Sequence, residues 1–530
     1  MAAVCVPSTG AVVFKAPKAD SIFHSPAKVP ADLSTATPTG SYGVYSRAGH
    51  SVMQDWESLM LMPVDNFVAE VVIGEANDAY VRNPLCYVNN NVWVTGSLSS
   101  DGKKISIPAG TVIAIDPYTQ APLALYNCEF VNSADGITFT PDTESAITYT
   151  VSEDGKTISL DNTSLTGTPE APESIKGIGA FTGEGLEWAG FLDFESVCTK
   201  LDVAPVGVPQ GLTATACDLV SDNPNSNSID LDNLCGKLVD VAVDGSDIYV
   251  RGLVTSVPEA WTKGKIEDKK ATFANGQFLG VSNGYMLYFT PATHEITEYP
   301  DYGFSFTTFT ATGQEMSFDW DAATVSLTKP TADMLVSVGL NSNSAFDTYM
   351  APRINKFENV AATPKTPSIT SAGQYEDENG PYVSAAIRTS DFSVDDSYMD
   401  RSKLGYRVFI NGSEEPFEFT PAEYPTIDAP LTVVPLTLNT QDFVSSDNYQ
   451  NFYIFRSDIA KIEVQMVYTG GNTTSYSGKG LWQDAGVHDV LESEGFDRET
   501  PVYDLTGRRV NPDAAAPGIY IRDGRKFLVR

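Results

Sequence analysis

Apolar and polar residues alternate with a period of two, in runs of five to seven, through most of this 530-residue chain. Such alternation marks strands with one buried face, and helical periodicity is not sustained over three turns anywhere. The run Ile147-Thr-Tyr-Thr-Val151, the turn Glu153-Asp-Gly-Lys156 and the run Thr157-Ile-Ser-Leu160 predict one hairpin. Ser100-Asp-Gly-Lys103 predicts another turn. Asp-Gly between alternating runs is a strong hairpin signal, because glycine accepts the positive φ of a type I′ turn.

The pattern repeats. The first segment reads Pro38-Thr-Gly-Ser-Tyr-Gly-Val-Tyr-Ser, Val71-Val-Ile, Ala79-Tyr-Val-Arg82, Val92-Trp-Val-Thr-Gly96 and Ile107-Pro-Ala-Gly110. The second reads Pro209-Gln-Gly-Leu-Thr-Ala-Thr-Ala-Cys217, Val241-Ala-Val, Ile248-Tyr-Val-Arg251, Ala260-Trp-Thr-Lys-Gly264 and Phe273-Ala-Asn-Gly276. The offsets run 171, 170, 169, 168 and 166, and Leu125-Tyr126 against Leu287-Tyr288 extends the series at 162. That drift is what loop insertions and deletions produce, so the chain carries a duplicated domain.

The predicted fold is all-β. Tandem antiparallel sandwich or barrel domains of roughly eight strands occupy 38–206 and 207–362. The Pro-spaced run Ala361-Ala-Thr-Pro-Lys-Thr-Pro367 marks a linker. Beyond it, 363–485 reads as an immunoglobulin- or fibronectin-like sandwich, with a strand–turn–strand around Asn411-Gly412. A linker and a C-terminal β-hairpin tail fill 486–530. Residues 1–37 read as a remnant signal peptide and flexible spacer: an apolar start, small residues at Thr9 and Ala11, then Pro, Ala, Ser and Lys. A basic n-region is missing, which predicts a start upstream or an internal Met1.

Charge narrows the partners. Asp and Glu outnumber Lys and Arg 68 to 34, a net charge of -34, which disfavours nucleic acid and anionic membrane surfaces. No apolar run approaches the roughly 20 residues of a spanning helix. Residues 502–530 reverse the sign, with six basic residues (Arg508, Arg509, Arg522, Arg525, Lys526, Arg530) against Asp504, Asp513 and Asp523.

Candidate chemistry is sparse. His24, His50, His294 and His488 form no zinc-binding motif, and no nucleophile elbow, P-loop or dinucleotide fingerprint is present. The chain therefore reads as non-catalytic. Trp93 and Trp261 are ligand candidates, since an exposed aromatic stacks on a sugar; their retention in both copies instead suits a core or barrel-plugging role. Arg82 and Arg251 each suit a structural pairing with a carboxylate. Asp218, Asp222, Asp230 and Asp232, beside Asn223, offer oxygen ligands for calcium without EF-hand spacing. No other cofactor is implied. Cys86 with Cys128, and Cys217 with Cys235, are disulfide candidates; buried thiols are the alternative. The divergent loops Pro84–Asn91 and Leu253–Glu259 are the favoured place for a ligand.

The run Phe417-Glu-Phe-Thr-Pro-Ala-Glu-Tyr424, with Val464-Gln-Met-Val-Tyr-Thr-Gly-Gly471, resembles a module of uncharacterised multi-domain secreted or cell-surface proteins of Bacteroidota. Pro258-Glu-Ala-Trp-Thr-Lys-Gly264 and Phe273-Ala-Asn-Gly-Gln-Phe-Leu-Gly280 are similar to the domains that precede it. Val502-Tyr-Asp-Leu-Thr-Gly-Arg-Arg-Val510 and Pro517-Gly-Ile-Tyr-Ile-Arg522 resemble the end of a type IX secretion sorting domain. The resemblance implies export to the cell surface, the extracellular space or the periplasm, and contact with secretion machinery; it implies no mechanism. Three functions follow as expectations: a non-catalytic surface protein binding a glycan or host protein, a structural or adhesin-like subunit, or a glycan-active enzyme without a recognisable signature.

Overall fold

The computed structural model describes residues 12–15, 37–55, 58–88, 92–115, 121–182, 186–224, 231–282, 284–299, 304–377, 380–446 and 448–483, with four short strands between 502 and 529. These form two compact units that divide at Glu358/Asn359, apart from the short stretch 229–231.

The first unit holds both copies. In the first, Ser41–Asp55, Ser58–Ile73, Asp78–Arg82, Trp93–Leu98, Lys104–Ile107, Ile147–Val151, Thr157–Leu160 and Glu187–Lys200 pair in turn, and the last pairs with the first. In the second, Ala214–Asp222, Leu234–Asp244, Asp247–Arg251, Trp261–Glu267, Lys270–Phe273, Met316–Asp321, Ser326–Thr328 and Ala345–Lys356 close in the same order. Each is a closed antiparallel ring, which leaves no open edge within it. A side sheet branches from each last strand: Ala171–Thr182, Pro122–Ser133, Thr111–Ile115 and Gly136–Asp142 in the first copy, and Asp333–Val338, Tyr285–Tyr299, Gln277–Ser282 and Phe304–Ala311 in the second. The first copy adds Ser164–Thr168, giving sheets of 14 strands, with Val12–Lys15 included, and 12 strands. The expected eight strands per domain match the ring and omit the branch.

The duplication is thus a duplication of topology. Its sequence anchors have physical causes. The glycine of each Trp-x-x-Gly unit lets strands approach: a Cβ on Gly96 would lie 2.5 Å from the Ser106 carbonyl oxygen, and on Gly264 2.9 Å from that of Thr272. Both copies also bulge at the same place, between Val112 and Ala114 and between Phe278 and Gly280. That register sets Leu125 opposite Thr111 and Phe289 opposite Gln277. The structural partner of Leu125 is therefore Phe289, not Leu287, and the last sequence anchor is two residues out.

The hairpin Ile147–Val151/Thr157–Leu160 forms as expected. Val12–Lys15, within the stretch read as spacer, is instead a strand paired with 58–61, as its Val-Val-Phe run allows. Both rings are filled with side chains, Ile105, Ile107, Leu125 and Ile178 among those in the first and Val250, Phe273, Phe289 and Phe318 among those in the second.

The second unit packs two four-stranded sheets around one core. Ser368–Asp377, Gly380–Arg388, Tyr449–Ile454 and Phe443–Ser445 form one in that order; Val434–Pro435, Leu404–Ile410, Lys461–Gly470 and Thr473–Gln483 form the other. Val383, Ile387, Tyr406, Val408, Phe452 and Val464 meet between them. The Asn411-Gly412 turn is real, with φ of 53° and 77°. The strand expected after it does not form: only Phe419 bridges, to Leu431. Pro416 cannot donate to a ladder, and Phe417 and Phe419 turn onto the core instead. A third small sheet, 502–504, 509–510, 518–522 and 525–529, is the tail: the hairpin read from sequence is its last two strands.

Candidate functional site

The chemistry of this molecule gathers on one three-strand ladder that occurs twice. In the first copy, register places Glu70 opposite Arg82 and Arg82 opposite Trp93. In the second it places Asp240 opposite Arg251 and Arg251 opposite Trp261. Side chains directly across antiparallel strands touch. Each guanidinium therefore lies between a carboxylate and an indole, its carbon 4.9 Å from the ring centroid in both copies. The stack combines an ion pair with a cation–π contact.

Environment separates the two. Glu70, Arg82 and Trp93 are 1%, 2% and 5% exposed. Arg82 donates from Nε (2.5 Å) and Nη2 (2.8 Å) to the two oxygens of Glu70, and Tyr42 adds its hydroxyl at 2.6 Å. Burial first, and then the Glu70 charge, push the Tyr42 hydroxyl far up, so it stays a donor. Arg82 also reaches the Val281 carbonyl of the second copy at 3.3 Å. In the second copy Ala214 stands where Tyr42 stands, and Arg251 donates at 3.1 and 2.7 Å to one oxygen of Asp240. The side chains of Arg251 and Asp240 are 39% and 33% exposed, and Trp261 is half-buried. Beside them Lys263 lies over Tyr249, and Lys263 and Lys265 both pair with Asp247. Hydrogen bonds from these lysines hold the Asp247 carboxyl down at about 2.

A second polar cluster sits inside the first ring. Arg47 and Asp193 pair at 3.2 Å while 3% and 0% exposed. Arg47 also donates to the Asn83 carbonyl and to Cys86 Sγ, and the Cys86 amide donates to Asp193 at 2.7 Å. The void against Arg47 and Tyr149 is about 20 Å³, room for a water rather than a substrate. Burial, then the Asp193 charge, push the Cys86 thiol well up, away from a nucleophilic thiolate.

Several sequence candidates separate in space. Cys86 and Cys128 are free, buried thiols in different cores. Cys217 pairs in register with Val239 and Cys235 with Ser221. That is four residues apart along the sheet, roughly 13 Å at strand rise, so no bridge joins them. Cys217 is a free thiol, pushed up to about 12 chiefly by burial. Asp218 and Asp222 lie on Ala214–Asp222, where Asp222 takes Arg353 at 3.3 Å and burial raises Asp218. Asp232 lies across the loop, its carbonyl accepting from Asn223, and Asp230 lies outside the described residues. Among the described residues no three metal-ligating side chains converge. The loops favoured for a ligand are plugs: Leu85, Cys86, Val88, Leu253, Val254 and Val257 are buried, while 89–91 lie outside the described residues.

Glu70 and Asp240 are the ladder side chains that sequence reasoning did not name. Each immediately precedes an anchor, Val71-Val-Ile or Val241-Ala-Val, and that shared acid was the available signal. No helix among the described residues is long and apolar enough to cross a membrane. Compared with models of protein families the chain matches none, and no curated protein is significantly similar to it.

Proposed function

We propose that this is a non-catalytic binding protein, exported to the cell surface or beyond, that works through the open ladder of its second barrel. The observation that carries the reading is the half-exposed Arg251–Trp261 stack, flanked by Asp240, Lys263 and Tyr249. A rigid aromatic with a neighbouring guanidinium on a strand scaffold suits a sugar ring or a protein surface, because it offers apolar area at small entropy cost. The tail's resemblance to a sorting domain supports export. The second unit is read as an immunoglobulin-like spacer: naming its strands A to G with C′, the sheets run A-B-E-D and C′-C-F-G.

The test is binding of the full chain to a printed glycan array and a panel of extracellular host proteins. Trp261→Ala should weaken binding about tenfold or more, as truncating a hot-spot aromatic does. Unchanged binding by both Trp261→Ala and Arg251→Ala would overturn the assignment of this face. A structural-subunit reading is favoured by a separate observation, the packing of one copy on the other.

A further inference from the structure

The open ladder of the second copy has a covered counterpart within the same chain. Over the first ladder, at Val44, Val68 and Arg82, lies the hairpin Gln277–Ser282/Tyr285–Tyr299 of the second copy. Its Gly284 carbonyl accepts from the Val68 amide at 3.0 Å, its Val281 carbonyl accepts from Arg82, and Phe278, Val281 and Tyr288 pack on Val44 and Val68. Gly284 sits against the Phe67 ring so closely that a Cβ would lie 2.1 Å from it.

Each half of that contact has a twin that is not fully buried. On the acceptor side, register matches Val44 and Val68 with Ala216 and Leu238, both apolar and neither fully buried. On the donor side, the hairpin Thr111–Ile115/Pro122–Ser133 of the first copy carries the same bulge. Its Val112, Ile115, Pro122 and Ala124 stand at the positions of Phe278, Val281, Met286 and Tyr288. All four are apolar and only half-buried.

Resting on the reading of the open ladder as a binding face, we propose that its occupant is a second copy of this chain. The first-barrel hairpin of one molecule would dock on the second-barrel ladder of the next. Donor and acceptor belong to different barrels, so each contact is heterologous and propagates head to tail, into a closed ring or a filament. Smaller donor side chains at Val112, Pro122 and Ala124 and a half-hydrated Arg251 make it weaker than the internal seam, so assembly depends on concentration.

Sedimentation velocity and light scattering on the full chain test this with two surface variants, Ile115→Asp in the donor and Arg251→Glu in the acceptor. Unchanged thermal unfolding checks that each folds, and Arg251→Ala, expected to weaken association about tenfold, serves if Arg251→Glu does not. The wild-type mass should climb above that of the monomer with concentration. Each variant alone should stay monomeric. Their mixture should form a dimer and stop there, because the Ile115→Asp chain keeps its ladder and the Arg251→Glu chain keeps its hairpin. A wild type monomeric at every concentration, assembly indifferent to both variants, or a mixture no different from its components would overturn the proposal. A monomeric wild type that binds glycan in a Trp261-dependent way would overturn self-docking alone. Failure of glycan and protein binding as well as assembly would remove the binding-face reading too.

Discussion

The two barrels have the same strand order, the same bulge and the same Arg–Trp stack, yet the stack is sealed in one and open in the other. Around the sealed stack the acid is a glutamate, whose extra methylene lets one carboxylate take Arg82 through both oxygens and Tyr42 besides. Around the open one the acid is an aspartate without the tyrosine. The interiors diverge as well: Arg47, buried against Asp193, occupies the register position that Leu219 fills in the second copy. One scaffold thus carries a buried charge network at one position and an apolar plug or hydrated pair at its twin. Burial, not the residue pair, decides what such a contact is worth.

The largest test of that contrast is the arginine in each ladder. Arg82→Ala strands the Glu70 charge out of water and should destabilise the first unit by about 3–5 kcal/mol in urea unfolding. Arg251→Ala removes a solvated pair and should cost less than about 1 kcal/mol. Equal losses would break the comparison. Asp193→Ala should cost as much as Arg82→Ala, since it leaves Arg47 unpaired, and Arg47→Leu with Asp193→Val should recover most of that loss. No recovery in the double variant would show that the network shapes the barrel beyond its charge balance.

Gly284→Ala probes the seam that seals the first ladder. Gly284 has φ of +79° and no room beside Phe67. The variant should lose about 1–3 kcal/mol and raise hydrogen exchange at Val68, whose amide it satisfies. Unaltered exchange would mean the copies are held elsewhere. The smallest effect is one of pH on the open side. The carboxyl of Asp247 is held down from 3.8 to about 2 by Lys263 and Lys265. Its contribution is present above pH 3.8 and is lost as pH falls through about 2. A carboxyl titration followed by NMR should place its midpoint near 2, and a midpoint at the ordinary aspartate value would dissolve the lysine pairing.

The sequence by itself determined the all-β class, the turns and the duplication. Those rest on local causes: alternation of side chains, Asp-Gly turns, and glycines such as Gly96 and Gly264 that let strands touch. Even the drift between copies was legible, until the hairpin turn, six residues between Ile115 and Pro122 but four between Val281 and Met286, changed the offset by two. The role of the ladder was not legible. Which acid meets Arg82, and whether Trp93 or Trp261 sees water, depends on register across three strands and on what lies above them. The disulfide candidates failed for the same reason: Cys217 and Cys235 sit four pairs apart on the sheet, and Cys86 and Cys128 lie in different cores. Only tertiary packing laid the second barrel's hairpin over the first ladder and left its twin half-exposed. It set the dielectric around two near-identical stacks, and with it the difference between a sealed joint and a half-hydrated pair.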